Sequence, residues 1–134
     1  MTNRRKSRIL TMHMLYQIDT GEFDHYKILN DFKKELKYKQ EIKDFAVILF
    51  TGTVAHKEEI DEVIKNLSSN WPLSRMAYID RNILRLAIYE IMFLPEIPKN
   101  VAINEAIEIV KKYSTEESGK FINGILDKVE KKII

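Results

Sequence analysis

Cysteine is absent from this 134-residue chain. Disulfides, thiolate nucleophiles and cysteine-based zinc sites are thereby excluded for these residues, and the absence fits a reducing cytoplasm. Only four Gly and three Pro are present, so the chain has few points at which a helix must stop. The alternating Val/Ile/Thr pattern of half-buried strands is missing too. The three histidines, His13, His25 and His56, fall in separate segments with no metal-ligand spacing. Neither a G-x-x-x-x-G-K-[ST] phosphate loop nor a G-x-G-x-x-G turn occurs. No apolar run approaches a membrane span: Ala87–Leu94 is broken by Glu90 and followed by Pro95. The N-terminus carries charge but no apolar segment of signal-peptide type. At this length the expectation is one domain with a sizeable core.

Charge is unevenly placed. Arg4, Arg5, Lys6 and Arg8 precede the first acidic residue, Asp19, and the remaining chain has 18 Lys+Arg against 20 Asp+Glu. A basic segment on a balanced body is the electrostatic footprint of a nucleic-acid or acidic-surface binder. Its alternative is a solvated, frayed terminus.

Apolar spacing is helical almost throughout, which predicts six or seven helices and no sheet. The first covers Asn3 to Asp19, with Ile9, Met12 and Tyr16 on one stripe and Leu10, Met14 and Ile18 on another. Its body is expected to be buried and its basic start to project beyond the core. Ile28, Leu29, Phe32 and Leu36 mark a short second helix. A long apolar pattern follows from Gln40 to about Leu67, where Gly52 either divides the helix or admits a close neighbour. After Ser68-Ser69-Asn70-Trp71-Pro72, a helix over about 74–94 is apolar nearly all round and should be central. Another runs through Ala102–Tyr113. Ser114-x-x-Glu117 has the form of a capping box opening the last helix. There Phe121, Ile122, Ile125, Leu126, Val129 and Ile133 share roughly 140° of arc at 100° per residue. That stripe runs through Asn123-Gly124, overriding the turn tendency of the dipeptide.

Few residues suggest catalysis. Glu58/Glu59 and Glu116/Glu117 are adjacent in sequence and diverge on a helix. Arg81 and Arg85 share one face of the central helix, with Asp80 and Glu90 elsewhere on it. In so apolar a helix they are either ion pairs that lock helices together or a ligand site. Trp71 and Tyr78 read as core or hinge packing rather than a cofactor box. The assignments are therefore no catalytic residue, no metal and no cofactor.

Taken together, four segments are diagnostic: Asp80-Arg81-Asn82-Ile83-Leu84-Arg85-Leu86-Ala87-Ile88-Tyr89-Glu90; Val101-Ala102-Ile103-Asn104-Glu105-Ala106-Ile107-Glu108; Lys111-x-Tyr113; and Lys120-Phe121-Ile122-Asn123-Gly124-Ile125-Leu126-Asp127. At this spacing the chain resembles the NusB transcription antitermination family over essentially its whole length. Arg4-Arg5-Lys6-x-Arg8 ahead of Met14-Leu15-Tyr16 is similar to that family's arginine-rich start. Two departures stand out: Ile9-Leu10-Thr11-Met12 is less polar than the family pattern, and Lys6 replaces one arginine, losing a planar fork.

The resemblance implies an all-α fold of two small packed helical bundles, with residues 1–134 as a single RNA-binding domain carrying a basic N-terminal arm. It implies a non-enzymatic factor that binds the single-stranded boxA element of ribosomal RNA leader transcripts. It does so together with NusE, a small-subunit ribosomal protein, and acts on the RNA polymerase elongation complex indirectly, in the cytoplasm and away from membranes. Cations on phosphates and rings against splayed bases are the means of holding single-stranded RNA. The RNA-binding expectation is Arg4, Arg5, Lys6, Arg8, Glu117, Lys120 and Phe121, although the stripe of Phe121 also assigns it to the core. Tyr16 and Asp80 match positions facing NusE. Two other classes stay open: the NusB-like domain of a ribosomal RNA cytosine methyltransferase, of which this chain would be a fragment, and a helical protein-interaction module. A homodimer also stays open, since an apolar helix face packs equally well within or between chains.

Overall fold

The computed structural model describes residues 1–21, 23–69 and 71–131. Seven α-helices lie among them: α1 (Asn3–Asp19), α2 (His25–Lys34), α3 (Gln40–Ala55), α4 (Lys57–Leu67), α5 (Tyr78–Phe93), α6 (Lys99–Tyr113) and α7 (Glu116–Leu126). A 3-10 turn at Leu73–Arg75 precedes α5, and there is no strand among the described residues. The all-helical expectation holds. Helices α1, α2 and α3 form one group and α5, α6 and α7 another, with α5 packed against α1, α3, α4, α6 and α7.

The central place of α5 follows from its composition. Every residue from Asn82 to Ile91 is buried, and Leu84 and Ile88 are fully enclosed. They meet Ala46 and Leu49 of α3, Ile60 and Ile64 of α4, Val110 of α6 and Ile122 of α7 in one core. Full burial of a leucine or isoleucine is worth about 1.5–3 kcal/mol, so α5 is the element on which both groups depend.

Helix α1 approaches α3 closely because small hydroxylated residues face it. Ser7 Oγ donates to the Ile42 carbonyl at 2.7 Å, and Thr11 Oγ1 donates to the Ser7 carbonyl at 2.8 Å and the Ala46 carbonyl at 3.3 Å. Both hydroxyls are buried, so each needs such a partner.

Several boundaries differ from the sequence expectation. The 40–67 segment is two helices, and the break is at His56, which leaves helical geometry (φ −109°, ψ 17°). Gly52 lies inside α3, where a Cβ would overlap the Tyr89 ring; it serves close approach and not division. Leu36 lies beyond the end of α2 and is 91% exposed. The helix expected from residue 74 starts at Tyr78, because Met76 and Ala77 are extended. At α7 the cap is Thr115, whose Oγ1 accepts from the Ser118 N–H at 3.0 Å. Ser114-x-x-Glu117 is therefore one residue out of register, and Glu117 sits exposed in the first turn. Helical geometry runs through Asn123-Gly124 as the period requires, but α7 ends at Leu126. Val129 is still buried, held by 3-10-type bonds such as Val129 N to the Leu126 carbonyl at 3.1 Å. Ile133 lies outside the described residues.

Candidate nucleic-acid interface

The basic segment forms the first two turns of α1, opened by Thr2, whose hydroxyl accepts from the Arg5 N–H at 3.1 Å. Helical spacing distributes its four cations to different surroundings. Arg4 and Lys6 are exposed, Arg5 is half-buried and Arg8 is buried. The expected projection beyond the core thus holds for Arg4 and Lys6 and fails for Arg8.

Arg8 reaches inward to Glu90 of α5, with Nη2 2.7 Å from Oε1 and Nε 3.0 Å from Oε2. Its Nη1 also donates to Glu105 of α6 at 3.3 Å. Arg5 forks onto the same Glu105, Nη2 to Oε2 at 2.5 Å and Nε to Oε1 at 3.2 Å. The hydrogen bond from Arg5 outweighs the upward push of burial and holds the Glu105 carboxyl below its ordinary range. Burial pushes Glu90 up, against the pull of Arg8. Arg4 lies over the Phe45 ring of α3, 4.2 Å from its centroid. Two arginines therefore pin the start of α1 to α5 and α6, while Arg4 and Lys6 keep their charge at the surface.

From Arg5 the basic surface continues along α6. Lys111 borders one cleft with Met1, Arg5 and Lys112 and another with Lys120 and Asn123. Lys111, Lys112 and Lys120 are all exposed, so the start of α1 and the face of α7 share one basic path. Its counter-charges are Glu108, 3.9 Å from Lys111, and Glu116 beside Lys120. Lys111 entered the sequence expectation only within Lys111-x-Tyr113, and neither it nor Lys112 was among the expected RNA-binding residues. Their signal was the amphipathic period of α6, which turns both outward once Ile109 and Val110 are buried.

A second surface adjoins this path. Glu117, Ser118 and Phe121 of α7 face Trp71, Arg75 and Asp80 across a cavity of about 430 Å³. Asp80 is only 8% exposed, and its Oδ2 accepts from Ser118 Oγ at 2.7 Å. Phe121 is half-buried at the cavity wall, so it serves the core and a surface together. Trp71 and Tyr78 are 47% and 42% exposed, which corrects their assignment to core or hinge packing. Tyr78 meets Tyr16 edge to face at 5.5 Å, making an exposed aromatic pair between α1 and α5. Arg81 lies 4.3 Å from the centroid of the Tyr78 ring.

The internal arginines of α5 are ion pairs. Asp19, at the end of α1, accepts from Arg81 Nε at 2.9 Å, Asn82 Nδ2 at 2.8 Å and Arg85 Nη1 at 3.0 Å. Arg85 also forks onto Asp61 of α4, at 2.7 and 3.1 Å. Burial pushes the Asp19 carboxyl up, but Arg85, Asn82 and Arg81 together outweigh it and hold it low. This cluster locks α1, α4 and α5 together and fixes Tyr16, one turn upstream of Asp19. No group of three or more His, Asp or Glu side chains is placed to hold a metal ion among the described residues.

Comparison with known proteins identifies the family. The chain is 50% identical over 129 residues to a transcription antitermination protein NusB of Desulfitobacterium hafniense, covering 95% of this chain and 87% of that one. It superposes on the structure of T. maritima NusB with a TM-score of 0.86 at 39% identity, covering 96% and 90% of the two chains. It also matches a chain from a crystal structure of antitermination factors NusB and NusE in complex with dsRNA. That TM-score is 0.82 at 30% identity, over 96% of both chains. A profile of the NusB family matches residues 5–131, and the chain belongs to that family.

Proposed function

We propose that this protein binds the single-stranded boxA element of ribosomal RNA transcripts jointly with NusE, and thereby lets RNA polymerase pass termination signals. As a NusB family member it is a transcription antitermination factor and not an enzyme. Its place of action is the cytoplasm, where nascent transcripts emerge; no helix among the described residues is long and apolar enough to cross a membrane. Residues 1–134 act as one RNA-binding domain.

The observation that supports the RNA reading is the basic path from Arg5 past Lys111 and Lys112 to Lys120, with the exposed Arg4 and Lys6 on the same first turns of α1. Phosphates track these cations. Glu117 and Phe121, at the edge of the path, meet base edges and faces. Arg8 acts from beneath by holding the first turn of α1 in register. Phosphate contacts alone carry no sequence information, so selectivity comes from the second surface. There NusE docks against the exposed Tyr16–Tyr78 pair and toward Asp80, which lines the cavity with Ser118.

The test is a complete binding cycle. NusE should tighten boxA binding at least about tenfold, roughly 1.4 kcal/mol of coupling, and boxA should tighten NusE binding by the same factor. Tyr16→Ala should weaken NusE binding and leave the salt dependence of RNA binding unchanged. A coupling factor near one, with scrambled RNA bound as well as boxA, would leave a plain interaction module.

A further inference from the structure

We infer that Glu105 is a positioning residue that sets the specificity of RNA binding. It clamps Arg5 in one orientation and cancels its charge, so this arginine serves one register of RNA and adds no attraction for unselected strands. The inference rests on the reading above that the start of α1 and α6 face RNA; the geometry of the clamp does not.

Arg5 meets Glu105 through both Nε, at 3.2 Å, and Nη2, at 2.5 Å. This is the planar fork of arginine on a carboxylate, and it fixes the guanidinium in direction as well as in place. Glu105 is held from its other side by Arg8 Nη1 at 3.3 Å, and Arg8 in turn by Glu90. Arg5, Glu105, Arg8 and Glu90 thus alternate in sign and carry no net charge. The Arg5 side chain is still 33% exposed. Its Nη1 has no acceptor among the described residues, so a ligand meets that outer edge of the guanidinium. Glu108 is not equivalent. It is exposed and 3.9 Å from Lys111, a pair that solvent screens.

Position separates this pair from a plain strut such as Arg8 and Glu90. Arg5 lines the same cleft as Lys111 and Lys112, along which the basic path runs. An unpaired cation there attracts any phosphate, and phosphate contacts carry no sequence information. A carboxylate on that cation removes the general attraction. What remains is a guanidinium edge that is already ordered, and a preordered group binds without the entropy loss of a mobile one. A strand fixed by its base contacts brings a phosphate to that edge in one register. Strands in other registers face a neutral pair. Arg5 holds the Glu105 carboxyl below its ordinary range, so the clamp is ionised near neutral pH.

The test compares boxA with scrambled RNA of equal length over a salt series, with and without NusE. Glu105→Gln keeps the side-chain size and leaves Arg8 on Glu90; its urea midpoint is measured alongside. In this variant the slope of log K against log salt for scrambled RNA should steepen by about 0.7. That is one further phosphate contact, or about fivefold in affinity at 0.1 M salt. The preference for boxA over scrambled RNA, measured with NusE, should fall at least about threefold. Arg5→Ala combined with Glu105→Gln removes cation and anion together and should restore the wild-type slope. Arg5→Lys keeps the charge balance but loses the fork; it should leave the slope near wild type and still lower the preference. An unchanged slope and preference in Glu105→Gln overturn the inference. So does an equal loss of affinity for both RNAs with a lowered urea midpoint, which makes the pair a strut only. If Glu105→Gln does not fold, Arg5→Lys decides, and a preserved preference there overturns the inference. Wild type without any preference for boxA removes the functional reading. The scrambled-RNA slopes of wild type and Glu105→Gln still judge whether Glu105 cancels Arg5, and equal slopes overturn it.

Discussion

Arg8 and Glu90 lie 2.7 Å apart with only 4% and 1% of their side-chain surface exposed. This contact turns one residue of a basic N-terminal segment into a strut between α1 and α5. The consequence is a division of labour among four cations in the first two turns of α1. Arg8 and Arg5 hold the helix in place, and Arg4 and Lys6 remain at the surface.

Removing that strut should act on stability first. Arg8→Ala leaves Glu90 buried and unpaired, which costs about 3–5 kcal/mol. Urea denaturation of the variant should show a correspondingly lower midpoint. A midpoint within error of wild type would mean that the pair contributes nothing.

The surface cations should behave in the opposite way. Arg4→Ala and Lys6→Ala should each flatten the slope of log K against log salt for boxA RNA by about 0.7. Their unfolding free energies should stay within about 0.5–1 kcal/mol of wild type, since Arg4 loses only its contact with Phe45. Lys111→Ala and Lys120→Ala should flatten the slope similarly. An unchanged slope in all four would remove the basic path as the RNA site.

Gly52 offers a test of close packing. Alanine is the better helix former by about 0.8–1 kcal/mol, yet a Cβ at this position overlaps the Tyr89 ring. Gly52→Ala should therefore destabilise, by about 1–3 kcal/mol for overpacking. In the Tyr89→Leu background the same substitution should cost much less. A double-mutant cycle measures that difference directly; additive effects would deny the contact.

The Asp19 cluster gives the molecule an acid-sensitive joint. Burial raises the Asp19 carboxyl, but Arg85, Asn82 and Arg81 together bring it below its unfolded value. Its contribution is therefore present above the unfolded pKa, near about 3.9, and is lost as pH falls through the lower folded value. Glu105 has the same sign. Glu90 has the opposite one: its folded pKa is raised, so its contribution fades as pH rises. Subtracting the stability profile of Asp19→Asn from that of wild type isolates the joint. The difference should shrink as pH drops from about 5 to about 2. A difference that stays constant over that window would show that the charge of Asp19 is not linked to folding.

The site was less legible than the helices. Phe121 could be read from its stripe as core or from the family likeness as a base contact, and the structure leaves it half-buried between the two. Lys111-x-Tyr113 marked the family and said nothing of RNA contact, and Lys112 carried no motif. They matter because α6 brings them between the start of α1 and α7, a juxtaposition of segments about a hundred residues apart in the chain.

Periodicity alone determined that this chain is helical, that α5 is central and that Arg81 and Arg85 share a face, because burying an apolar stripe is a local requirement repeated every turn. It also determined that Asn123-Gly124 stays helical, since four buried neighbours outweigh one turn-prone dipeptide. Tertiary structure alone decided which charges are free. Arg8 and Arg4 are similar residues on one helix, and only the position of Glu90, 82 residues away, makes the first a buried strut. It likewise decided that Gly52 admits Tyr89, that Trp71 stays exposed, and that Asp80 and Glu117 meet across one cavity. Each of these depends on which distant side chain arrives at the same place, and no spacing along the chain encodes that.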